Sequence, residues 1–232
     1  MKKNTVKKFL FYFTISLIVF VGYSFVSNKS SLAVVTKTVK SVAKKNISSD
    51  WMEISKGEIL IAGDQLKTGK NSLAIIKFTD NSIIRVREQS ELTILGEGAK
   101  GSMIKSAHLT GGGVGFDVKK QQNEQFRLTS PTSVASIRGT KGKWSGGRGH
   151  DTLIVIEGLV NLRNLISNKD IDVSSGSIGF SDEDGSISDR KASEDELADA
   201  YAAMSDGTTN ELKLEMKDSK GNKKELKLRY KK

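Results

Sequence analysis

The sequence has no cysteine and only one proline among its 232 residues. Without cysteine there are no disulfide staples, thiolate nucleophiles or cysteine-based metal sites, and no thiol to carry a lipid anchor. Stability must come from an apolar core and backbone ladders. A single proline beside 22 glycines excludes both a collagen-like chain and a proline-rich linker. Histidine is almost as scarce: only His108 and His150 occur, neither with other ligand types at metal spacing, so no metal site is expected. G-x-S-x-G, P-loop and H-E-x-x-H patterns are absent. The glycine-rich stretch from Gly111 to Gly115 leads into a strand pattern, so it lacks the helix N-terminus that would hold phosphate. Asp182-Glu183-Asp184 lacks calcium-loop spacing and reads as a solvated turn. Asp64 and Asp80 sit in turn-like positions, and nothing in the sequence pairs them as catalytic carboxylates. No catalytic, cofactor or metal residue is assigned, and the chain is not expected to be an enzyme. Chemistry on envelope polymers survives only as a remote third reading.

What is present is charge, unevenly placed. The formal net charge is +10. Residues 1–33 hold five lysines and no acid, and residues 211–232 hold nine basic and four acidic side chains. The 23 basic and 23 acidic residues between them cancel, so the basic excess belongs to the two ends. Aromatic residues make up 6% and do not interleave with the lysines, so no stacking platform for bases is visible. Nucleic acid is not an expected partner.

The only long apolar run is Phe9–Val26, eighteen uncharged residues behind Lys2, Lys3, Lys7 and Lys8. Positive charge ahead of such a run keeps that side in the cytoplasm, so the rest of the chain is expected outside it. Two fates fit. Ser31-Leu32-Ala33 has the small-x-small form of a cleavage site, while eighteen helical residues span ~27 Å, enough for an uncleaved anchor. The expected location is the periplasm or cell envelope, secreted or held to the inner membrane by residues 9–26.

Beyond Ala33 the apolar residues alternate with period two, the pattern of half-buried strands. Ser72–Phe78 and Ile83–Arg87 flank Thr79-Asp80-Asn81-Ser82 and predict a hairpin. Alternation recurs at Glu91–Leu95, at Val114, Phe116 and Val118, and at Phe126 and Leu128. Leu153–Ile156 and Leu159–Leu162, around Glu157-Gly158, predict a second hairpin. Many short strands argue for an all-β sandwich, barrel or roll; with no exact repeat, a regular solenoid is not shown. Lys141–Asp151 reads as a glycine-rich basic loop, and 181–192 as a polar turn or linker. Ser193 with Glu196 forms a capping box for one short helix whose apolar face is Leu197, Tyr201 and Met204. Glu211–Tyr230 alternates around Ser219–Asn222 and predicts a charged terminal hairpin. The expected organisation is a signal peptide or anchor at 1–33, an all-β domain at 34–180, and a linker, helix and hairpin at 181–232.

Several of these pieces resemble the FecR domain family. Trp51 is followed by Gly63-Asp64-Gln65-Leu66-Lys67-Thr68-Gly69, similar to that family's G-D-x-hydrophobic-x-T-G element. Phe78-Thr79-Asp80-Asn81-Ser82-Ile83 resembles its F-x-D-G-S hairpin, with asparagine for the usual glycine. Ser130-Pro131 and Ile137-Arg138-Gly139-Thr140 resemble its T-P and V-R-G-T elements. Thr152, Val155, Glu157-Gly158 and Val160 resemble the last one. The resemblance covers about 35–180 and implies an extracytoplasmic all-β module, a short-strand roll, sandwich or solenoid-like form. It implies structural roles for these residues: glycines for bends, Asp64 and Asp80 for turn hydrogen bonds, Arg138 for a buried pairing. The alternative is that Arg138 faces a ligand. Lys141-Gly142-Lys143-Trp144 departs from the family's pattern after R-G-T. The eight residues before Phe9 are too few for the cytoplasmic sigma-regulating domain of some members, so that activity does not carry over.

Two function classes remain. The first is a binding, sensory or regulatory module of the cell envelope with a protein or glycan partner. The second is a structural envelope scaffold that self-associates through exposed edges of its terminal hairpin. Oligomeric state is not legible.

Overall fold

The structure is a computed structural model that describes residues 31–98, 103–120, 125–207, 211–217 and 223–229. It is built almost entirely of strands. The first eight are β1 (Ser31–Val39), β2 (Val42–Lys45), β3 (Met52–Glu53), β4 (Ile59–Ile61), β5 (Gln65–Thr68), β6 (Leu73–Phe78), β7 (Ile83–Val86) and β8 (Glu91–Glu97). A long strand, β9 (Ile104–Val118), follows. Then come β10 (Gln125–Thr129), β11 (Ser133–Ile137), β12 (Thr140–Gly146) and β13 (His150–Glu157). Next are β14 (Leu159–Asn164), β15 (Asp170–Ser174), β16 (Ser177–Asp182) and β17 (Ile187–Lys191). Helix α1 (Glu194–Ala203) and a hairpin of β18 (Glu211–Lys217) and β19 (Lys223–Arg229) complete the chain.

The first seventeen strands form one hydrogen-bonded system in two layers. One layer, sheet A, runs β4-β1-β6-β7-β9-β12-β13-β16-β17. The other, sheet B, runs β3-β2-β5-β8-β9-β10-β11-β14-β15. All pairings are antiparallel except β9 with β10. β9 belongs to both sheets: Ile104–Gly111 pairs with β8, and Gly112–Val118 with β12. The strand bends at Gly112, whose φ of 96° is left-handed and suits glycine. Ser90 Oγ accepts from the Gly113 amide at 2.9 Å and donates to its carbonyl at 3.1 Å, pinning the bend.

Period-two alternation puts one side of each strand into a shared core. Sheet A contributes Ile76, Ile84, Phe116, Trp144 and Leu153, and sheet B contributes Leu66, Leu92, Leu109, Leu128 and Leu162. Phe78 of β6 meets Phe126 of β10 edge-to-face across the layers, with ring centroids 4.9 Å apart. Emptying one such position costs about 2–5 kcal/mol. Ser31–Val39 is a continuous strand with Leu32 and Ala33 each 2% exposed, so the core reaches into the segment assigned to export.

The β6–β7 hairpin forms as expected, with Ala74 opposite Val86 and Asn81 at a φ of 66°. Other expectations are corrected. Leu153–Ile156 and Leu159–Leu162 are not a hairpin. β13 lies in sheet A and β14 in sheet B, so Glu157-Gly158 is a corner between layers. Lys141–Asp151 is not a loop: it holds most of β12, a tight turn and the start of β13. Segment 181–192 contains β17, which pairs with β16. The helix has its capping box, with Ser193 Oγ accepting from Glu196 N at 3.2 Å. Its buried residues, however, are Ala200 and Ala203, and Tyr201 is 61% exposed. Leu197 packs, partly buried, with Ala200 on Ile154 and Ile178 of the outer face of sheet A. The terminal hairpin is present, Leu212 opposite Leu228. The expected apolar N-terminal helix lies outside the described residues. Among the described residues, no helix is long and apolar enough to cross a membrane.

Candidate functional site: a glycine-floored cationic trough

The outer face of sheet A has a gap in its side-chain layer. Gly113 and Gly115 of β9 occupy its outward positions and leave bare backbone. Residues opposite one another on paired strands project from the same face. Arg85 of β7 and Lys143 of β12 both lie opposite Gly115, and Ser145 lies opposite Gly113. The result is a trough with a glycine floor and cationic walls.

The segment after α1 lies across one part of it. A Cβ on Gly115 would stand 2.3 Å from the Ala203 carbonyl oxygen, so the helix end rests directly on the floor. Lys143 is ion-paired with Asp199. Arg85 Nε donates to Asp206 Oδ1 at 2.7 Å, Arg87 Nη1 to the Ser205 carbonyl at 3.0 Å, and Lys37 Nζ to the Asp206 carbonyl at 2.8 Å. Cations also suit the partial negative charge at a helix C-terminus. Burial pulls the Arg87 guanidinium below its ordinary pKa. Arg85 Nη1 is buried with no hydrogen-bond partner.

The remainder of the trough is open, a cavity of about 920 Å³ over Gly112 and Gly113. Lys40, Arg87, Lys143, Arg148 and His150 line it, with Glu88 and Asp199 as its acids. Arg148 and His150 come from the β12–β13 turn, whose shape is fixed from below. Asp151 is 1% exposed; its Oδ2 accepts from the Ser130 and Thr132 hydroxyls, and its Oδ1 from the Gly147 amide at 3.0 Å. Gly147, with a φ of 91°, packs so tightly on β9 that a Cβ would stand 2.3 Å from the Thr110 carbonyl carbon. Beside this hub, Ser133 Oγ donates to Ser181 Oγ at 2.8 Å and Asn164 Nδ2 donates to the same oxygen at 2.9 Å. At the rim, His150 is exposed and its pKa is raised by a hydrogen bond with Asp182 at 2.6 Å.

The motif residues are dispersed through the fold. Gly63 takes a φ of 92°, and Asp64 is buried, with Oδ2 accepting from Ile61 N at 3.0 Å and Lys44 Nζ 3.6 Å away. Thr68 Oγ1 accepts from Ser90 N at 3.0 Å and donates to the Arg87 carbonyl at 2.5 Å; Gly69 packs on Ser41. Phe78 is core. Asp80 Oδ1 accepts from Ser82 N at 3.0 Å, and its Oδ2 lies 3.7 Å from the buried Lys105. Ser82 Oγ accepts from Lys119 N at 3.1 Å. Asp64 and Asp80 sit in separate turns, as expected. Pro131 is exposed next to the Asp151 hub. Gly139 turns at a φ of 65°, and Thr140 Oγ1 donates to the Leu159 carbonyl at 3.1 Å. Glu157 accepts from Lys141 Nζ at 2.7 Å, and Gly158 turns the corner at a φ of 96°.

One of these expectations is corrected. Arg138 is exposed on the β11–β12 turn rather than buried, and it does not line the trough. Trp51 is outside the core, with Lys45 Nζ 4.8 Å and Lys67 Nζ 4.2 Å from its ring centroid. Asp151 was missed, although a carboxylate in step with Leu153 and Val155 was a visible sign of a buried polar role.

The two layers form an all-β domain. Residues 64–161 match the family model described as FecR protein. Two crystal structures, both described as a "putative anti-sigma factor from Parabacteroides distasonis ATCC 8503", have a similar fold. Each aligns at a TM-score of 0.50 and 9% identity, over 58% of this chain and 62% of that chain. The match therefore spans less than two thirds of that protein. No curated protein matches the chain.

Proposed function

We propose that this chain is a non-catalytic sensory or regulatory module of the cell envelope, which contacts a partner through the trough on sheet A. The carrying observation is the trough itself: a preformed concave surface, walled by cations, in a fold otherwise closed around its core. The FecR family match and the fold shared with a described anti-sigma factor support a regulatory reading. Among the described residues no group of three or more metal-type ligands gathers.

The module works outside the cytoplasm, anchored by residues 9–26 rather than released by cleavage behind Ala33. Support comes from β1. Cleavage there would strip Leu32 and Ala33 from the core, together with the bond from Thr79 N to the Leu32 carbonyl at 3.0 Å. That loss costs roughly 2–4 kcal/mol. Strand addition at the edge strand β17 is opposed by its exposed Asp189, Arg190 and Lys191. Fractionation of cells producing a C-terminally tagged chain, followed by N-terminal sequencing, tests this. Membrane-bound chain, degraded by protease added to spheroplasts, is the expected result. Intact chain in the cytosolic pool would overturn the location, and a mature N-terminus at Val34 would overturn the anchor.

A further inference from the structure

We infer that the open part of the trough binds an acidic, extended segment of a partner polypeptide, alongside the acidic segment that the chain itself lays over the rest. The inference rests on the proposed reading of the trough as the contact site and specifies the chemistry of what enters it. The covered part shows what this surface accepts. Between Asp199 and Asp206 the chain sets two carboxylates and two backbone carbonyls against Lys143, Arg87, Arg85 and Lys37. Every one of those contacts is a carboxylate or a peptide carbonyl on a cation.

The open part continues the same floor through Gly113 to Gly112, but two of its cations are unspent. Arg148 and Lys40 make no hydrogen bond or ion pair among the described residues. The acids beside them are already engaged: Asp199 holds Lys143, and Glu88 Oε2 accepts from Asn71 N at 2.7 Å. Arg148 is also held in place. Its turn is locked by the buried Asp151 and seated on the β9 backbone, so the backbone that carries the guanidinium is preset. Because the trough already takes polypeptide, a peptide is favoured over an acidic polysaccharide or free phosphate.

The test is fluorescence anisotropy of fluorescein-labelled hexaglutamate titrated with the full chain at ~0.15 M salt, where long-range attraction is screened. Arg148→Gln and Lys40→Asn each weaken binding about 3–10-fold, the scale of one or two charge-assisted contacts. Lys77→Gln and Lys169→Gln, exposed cations outside the trough with the same charge change, leave it within about twofold. Asp199→Asn tightens binding by freeing Lys143 from its acid, whereas Asp170→Asn does not. Equal weakening by all four cation variants would reduce the effect to net charge and overturn the inference. So would competition by oligogalacturonate or inorganic phosphate at lower concentration than unlabelled hexaglutamate. Failure of this binding leaves the membrane-fractionation result untouched, so the two readings fall separately.

Discussion

The two halves of β9 belong to one strand and meet opposite fates. In sheet B, Ile104–Thr110 carries a side chain at every position, and outward His108 aligns with Thr93 and Thr129 on the neighbouring strands. Past the bend, Gly111, Gly112, Gly113 and Gly115 remove most of that covering, and the exposed backbone receives α1 and opens into the cavity. A sheet surface with its own side chains is finished; one without them is an invitation to another chain.

Gly112→Val should break the contrast most severely. A Cβ there meets Ser90 Oγ at 2.3 Å, and the φ of 96° is strained for a β-branched residue. Strain and overpacking together cost about 4 kcal/mol, read as a lowered denaturant midpoint. Gly115→Ala comes next, at about 2 kcal/mol, because the Ala203 carbonyl must lift away. Its signature is faster proteolysis within 194–207 before global unfolding. On the clothed half, His108→Ala loses only the bond to Thr129 at 2.9 Å and should cost about 1 kcal/mol or less.

The smallest effect concerns the rim. His150 titrates above its ordinary value because Asp182 holds its protonated form, so Asp182→Asn returns it to the ordinary range, visible in its ring-proton shifts against pH. The His150–Asp182 contribution to stability is fully present below the ordinary histidine pKa and disappears as pH rises through the raised value.

How much of this the sequence shows depends on the kind of information needed. The β6–β7 hairpin was legible because alternation and the Asp80-Asn81 turn are both local. The same grammar misled at Glu157-Gly158, since period two marks a strand without saying which layer it joins. The capping box at Ser193 and the inward Leu197 are readable, but the rest of the buried face of α1 is not, because the sheet takes Ala200 and Ala203 while Tyr201 stays exposed. The trough was hidden for another reason: it is made by missing side chains, and its cations lie on β7, β12 and a turn distant in sequence. Glycines at 111–115 and basic residues at 141–148 were both noticed, yet only register sets them face to face.

A strand shared between two layers also has a mechanical consequence. Sheets that touch only through side chains can slide or hinge; these two are threaded by one covalent spar, clamped at its elbow by Ser90. Force on the Gly115 end is thus carried along the spar into the opposite wall, so the two layers move together.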